Sequence, residues 1–243
     1  MTLFSLLTLT SLVLLHIFAS MFRFLEGIPR SRWLSVAGGV SIAYVFLHLL
    51  PEVTNASNSI RSFSGNVLAW VNHHGFLVAL SGVTVFYGLE RAVRRSKYGD
   101  DGDGNEKRAS RNVFWLHLTS FSFYNLVVGY LIIHHNSMGP LSFTFFSIAM
   151  ALHFLVIDFG MRDDFKEDYN QIGRWVISVA LIMGWIMGYF HFLPEGLISV
   201  LIAFLGGGIV LNAIKEELPD DRESDFLSFL TGVSGYSVLL LSL

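Results

Sequence analysis

The sequence predicts an all-α, polytopic membrane protein, a bundle of eight transmembrane helices with both termini outside, on three observations. First, the 243 residues are 53% hydrophobic and only 14% charged, whereas soluble domains carry about 25% charged residues. That is too little charge to cover a water-facing surface. Second, the chain divides into eight apolar stretches near the roughly 20 residues that cross a bilayer core as a helix: 3–22, 33–53, 67–91, 112–135, 140–161, 174–192, 195–214 and 225–241. They are too long and too evenly apolar for strands of a membrane β-barrel. Third, fifteen of the 16 Lys and Arg residues fall in alternate loops and only Arg61 in the others, which by the positive-inside rule places both termini outside.

Each span is bounded by its neighbours' polarity. Span 1 has no basic residue before it and no small-residue cleavage site, and its nearest positive charge, Arg23, follows it; it reads as a retained helix and not as a cleaved signal. The one long polar segment, 94–111, separates spans 3 and 4 and reads as a flexible cytoplasmic loop. Asp101, Asp103 and Asn105 imitate the start of a calcium loop, but Glu106 replaces the required glycine and Asn112 the bidentate Glu. Asn55-Ala-Ser57 is a glycosylation triplet in a loop expected outside. The chain has no cysteine, so disulfides, thiolate nucleophiles and Cys-based zinc sites are excluded. No basic stripe exists for a nucleic acid to follow.

Ionisable groups inside a bilayer are costly and mark candidate sites. Six histidines (His48, His73, His74, His134, His135 and His191) sit near outer span ends with Glu52 and Glu195, a set suited to attracting a divalent cation. His48 and Glu52 are four apart and share a helix face, with Pro51 between them. His16, His117 and His153 lie in the inner half, with Asp158 and the pair Glu216 and Glu217 toward the inner surface. His153 and Asp158 are about 140° apart around one helix, a poor chelating pair by themselves. His117, Ser120 and Tyr124 form a stripe on span 4 with Asn125 beside it, and Met183, Met187 and His191 form another on span 6, where methionine reads as packing. Gly38-Gly39, Gly184-x-x-x-Gly188 and Gly206-Gly207-Gly208 permit close helix approach.

In two places the local sequence resembles the ZIP (Zrt/Irt-like) family of divalent-metal transporters. Gly38-Gly-Val-Ser-Ile-Ala-Tyr-Val-Phe-Leu-His48-Leu-Leu-Pro51-Glu52 is similar to that family's second span, which ends in His-Leu-Leu-Pro-Glu at the outer mouth. Gly206-Gly-Gly-Ile-Val-Leu-Asn-Ala-Ile-Lys-Glu216-Glu217-Leu-Pro219-Asp220 is similar to its seventh, with a Glu-x-x-Pro-Glu type of inner end. In this family the metal pathway centres on spans 4 and 5, through His-Asn-x-Pro-Glu-Gly and His-x-x-Pro-Glu-Gly motifs. Here span 4 carries Ser120 and Tyr124 at the His and Glu positions in one register, Phe121 and Asn125 in the other. Span 5 keeps His153, has Val156 and Ile157 for the Pro-Glu, and places Asp158 one residue late. Span 6 contributes no acid.

The resemblance implies a carrier moving zinc or a similar divalent cation toward the cytoplasm. It implies His153, Asp158, Asn125 and Ser120 as the remains of an inner site, His48, Glu52 and His191 at the outer entrance, and Glu216 and Glu217 at the cytoplasmic exit. A site with at most one carboxylate suits weak, single-ion passage, because a dehydrated divalent ion needs anionic oxygens. The alternative is a ZIP-related protein that has lost transport and acts by binding or regulation. An intramembrane metal hydrolase, needing three ligands and an open position on zinc, ranks behind both, and no enzyme activity is expected. The expected partners are the lipid bilayer, a plasma or bacterial inner membrane being favoured, and a divalent metal ion; a homodimer stays open. Neither an organic cofactor nor a nucleic acid is expected.

Overall fold

A computed structural model describes residues 2–21, 32–51, 54, 75–98, 110–135, 139–217 and 225–241. Among these residues all regular structure is helical: α1 (Thr2–Phe18), α2 (Arg32–Tyr44), α3 (Gly75–Tyr98), α4 (Arg111–His135), α5 (Pro140–Asp168), α6 (Arg174–Tyr189), α7 (Glu195–Glu217) and α8 (Phe226–Leu241). A π turn, Val45–Leu49, continues α2, and another, Tyr169–Gly173, joins α5 to α6. Four stretches are long and apolar enough to cross a membrane, Arg32–Leu49, Gly75–Ser96, Arg111–His134 and Pro140–Tyr189, and Leu3–Phe18, Gly196–Asn212 and Phe226–Leu241 are shorter apolar helices. The chain is membrane-embedded by this measure, and its outward faces agree: α6 exposes Val176, Val179, Met183 and Ile186 along one stripe while burying Ile177, Leu181, Gly184 and Gly188 along another. Such a stripe is at home against lipid tails. Met183 therefore faces outward, not into the packing expected of it.

The chain divides into two compact units, Met1–Arg23 with Tyr87–Phe190, and Phe24–Phe86 with His191–Leu243. The first unit holds α1, the second half of α3, and α4 to α6. On α1 the buried residues Ser5, Leu9, Leu12, His16 and Ala19 recur at three- and four-residue steps, one face of a helix. This face packs on α5 and α6, and Thr8 Oγ1 meets Ser147 Oγ of α5 at 2.9 Å. Helices α4 and α6 cross at two glycines: a Cβ at Gly129 would strike the Leu181 carbonyl, and one at Gly184 the Leu126 carbonyl. Helix α5 starts where Gly139, at φ 102°, takes a backbone conformation that glycine reaches without strain, followed by Pro140 in the first turn.

The segment 162–173, expected as a loop between two spans, is helical almost throughout. Arg162, Lys166, Glu167 and Gln171 are good helix formers, and no proline or glycine occurs before Gly173 to stop the helix. The α geometry breaks instead at Phe165 (φ −136°, ψ 38°) and relaxes into the π turn. In the second unit, α2 packs along α8, where Gly39 faces the Phe229 carbonyl and Gly232 the Val36 carbonyl. The first half of α3 meets α7 in the same way, Gly82 at the Phe204 carbonyl and Gly207 at the Ala79 carbonyl. Asp225 caps α8, accepting from the Ser228 N–H at 2.8 Å. Helix α3 runs to Tyr98, so the expected 94–111 loop begins as helix; residues 99–109, with the calcium-like triplet, and Asn55 lie outside the described residues.

Candidate functional site

Three buried polar side chains of the first unit converge at one place. His16 projects from the buried stripe of α1, Asn125 from α4 and Asp158 from α5, and all three are at most 1% exposed. The His16 ring joins them, its Nδ1 2.7 Å from Asp158 Oδ2 and its Nε2 2.9 Å from Asn125 Oδ1. Helical geometry fixes the Asn125 amide, since its Nδ2 donates to the Phe121 carbonyl one turn back at 2.9 Å. Its Oδ1 is therefore the acceptor, and His16 Nε2 carries a proton. The short contact to Asp158 then holds one more proton between Nδ1 and the carboxyl. Whichever atom bears it, the pair is neutral overall, which is how a buried histidine and aspartate coexist in low dielectric.

Around this triad the walls are aromatic. Phe154, wholly buried, lies 4.7 Å from the His16 ring and 6.4 Å from the His153 ring, centroid to centroid. Tyr124 packs 5.8 Å from His153 and 6.0 Å from Phe154. His153 Nε2 and Asp158 Oδ1 are buried without a hydrogen-bond partner among the described residues. From the π turn the Tyr169 phenol interacts with the Asp158 carboxyl, with Arg162 and Arg174 in its electrostatic reach. Arg174 also fixes the triad's height: its Nη1 donates to the Ile17 carbonyl at 3.0 Å, capping the last turn of α1 one residue after His16. His117 has a different task, bonding through Nε2 to the Leu89 carbonyl of α3 at 3.0 Å.

Of the residues expected at the inner site, the structure brings Asn125 and Asp158 together through His16, and sets His153 beside them behind Phe154. Both span 4 registers have a counterpart, Asn125 in the hydrogen-bonded cluster and Tyr124 against His153. Ser120 is half-buried further along α4 and is not part of the triad's hydrogen bonding. Among the described residues no three His, Asp or Glu side chains converge as a metal cluster. At the expected entrance, His48 lies in the π turn with its ring stacked on Tyr44 at 5.3 Å, a turn type frequent at functional sites. His191 is exposed in the turn after α6 at φ 51°, and Glu52 lies outside the described residues. Glu216 and Glu217 end α7, and their side chains lie outside the described ones.

Sequence reasoning missed His16 as a site residue. The signal was available, because it is the one ionisable group on span 1, an intramembrane ionisable group requires a partner, and Asp158 is an acid at matching depth. Compared with protein-family models, curated proteins and solved structures, the chain finds no match.

Proposed function

We propose that the chain is a ZIP-like carrier that moves a divalent metal cation, zinc or similar, across the membrane toward the cytoplasm. The observation that carries this reading is the meeting of His16, Asn125 and Asp158 from three helices, with His153 adjacent, in the apolar interior of one unit. Buried ionisable groups of this kind contribute little to stability that apolar packing would not and in membranes mark ion paths. Eight crossings with outer termini accord with it. Pro140–Tyr189 would extend about 75 Å as one straight helix, more than twice a hydrocarbon core of about 30 Å, and its charged middle and the break at Phe165 suit a return at the inner surface. Cysteines introduced at Arg61 and Gly139 should then label from outside, and at Gly102 and Asp220 from inside; outside labelling of Gly102 overturns the orientation.

A second reading draws on a specific observation. Both ring nitrogens of His16 and one Asp158 oxygen are satisfied internally, which favours a ZIP-related protein that no longer transports and acts by binding or regulation. Proteoliposomes loaded with a metal-sensitive dye decide between the two. Influx of zinc, iron, manganese or cobalt above protein-free vesicles supports the carrier, and background rates for all four overturn it in favour of the second reading.

A further inference from the structure

We propose that His16 is a built-in occupant of the centre of the first unit, its ring holding the two oxygen donors that a divalent cation would use. The proposal rests on the reading that α4 and α5 line the cation's path. Asp158 Oδ2 and Asn125 Oδ1 are the hard oxygen ligands that α4 and α5 contribute here, and the imidazole bridges both, at 2.7 and 2.9 Å. The bridge also removes the electrostatic reason for an ion to enter. Asp158 is the only carboxylate of the cluster, and with its proton-bearing partner it forms a neutral pair. A cation that used Asp158 Oδ2 and Asn125 Oδ1 together would therefore have to displace the ring.

The ring is held in place by its helix, not by chance contact. Arg174 grips the Ile17 carbonyl next to it, Thr8 pairs with Ser147, and Phe154 packs against the imidazole. Ligand capacity remains behind it, since His153 Nε2 and Asp158 Oδ1 are buried without hydrogen-bond partners among the described residues, the Tyr169 phenol being the carboxyl's other polar neighbour. His16 thus acts as a positioning residue that sets affinity through Asp158 and Asn125. When the binding-competent form is a minor fraction, the apparent affinity falls by that fraction; taking the ring away should restore it.

The test uses the full-length protein in detergent with zinc alone as the probe, comparing wild type, His16→Ala and His16→Gln by calorimetry and by melting temperature against zinc. His16→Ala should bind zinc about tenfold tighter than wild type or better, with a zinc-dependent rise in melting temperature that wild type lacks. His16→Gln offers an amide N–H₂ in place of the ring and should stay near wild type. Adding Asp158→Asn to His16→Ala should abolish the gain. If His16→Ala is recovered folded only when zinc is present during membrane extraction, that rescue also supports the proposal. A folded His16→Ala no tighter than wild type overturns it, as does a His16→Ala that zinc fails to rescue. Uptake separates this from the carrier reading: influx by wild type with no gain in His16→Ala defeats the occupant alone, and a gain in binding without influx in any variant defeats the carrier alone.

Discussion

Gly129 and Gly184 do for α4 and α6 in the first unit what Gly39 and Gly232 do for α2 and α8 in the second. In each crossing, each glycine meets the carbonyl of the residue three before its partner glycine. The frameworks are alike, and the fillings are not. Among the described residues the first unit buries His16, His117, Asn125, His153 and Asp158, whereas the second buries Ser35, Ser41 and Ser199 with the phenols of Tyr44 and Tyr236. Ser41 spends its hydroxyl on the Ala37 carbonyl of its own helix, and Ser35 accepts from the Asp225 N–H at the head of α8. The small-residue crossings thus supply packing in both units, and only the first adds a hydrogen-bonded polar cluster across three helices.

The largest effects should be common to both units. Gly129→Leu and Gly39→Leu each drive a side chain into a backbone carbonyl, where neither helix has room to yield. Both should fail to give monodisperse protein on size-exclusion chromatography; a folded variant of either would break the equivalence of the crossings. Next comes the contrast. Asp158→Ala leaves His16 buried without its acid and should cost about 3–5 kcal/mol in detergent unfolding. Replacing both together, His16→Leu with Asp158→Leu, should be close to neutral or stabilising for the same reason, and a loss as large as the single variant's would show the pair to be structural. Arg174→Met removes the cap on Ile17 and should cost about 1–2 kcal/mol, a charged but half-buried hydrogen bond. Ser41→Ala in the second unit should lie within about 1 kcal/mol of wild type.

How much of this was legible in the sequence follows the same division. Hydropathy and small residues are local signals, so the helices and the close approach at Gly39, Gly184 and Gly207 could be read directly. The α5–α6 connection was misjudged because the run from Arg162 to Asp168 marks contact with water, and charge does not stop a helix. The triad is a contact across 109 and 142 residues of chain, and no spacing rule reaches that far. The residue pattern likewise left Tyr124 and Asn125 as alternatives, since neighbours on a helix differ by only about 100° in facing and both turn inward here.

On the carrier reading, the polar interior of the first unit is there for a cation and not for the fold. Its most direct test is the initial rate of zinc influx into dye-loaded proteoliposomes, normalised to folded protein, for wild type, the His16→Leu/Asp158→Leu pair and Ser41→Ala. Wild type and Ser41→Ala should give influx, and the pair a rate at the level of protein-free vesicles although it remains folded. Equal influx in all three preparations would contradict it.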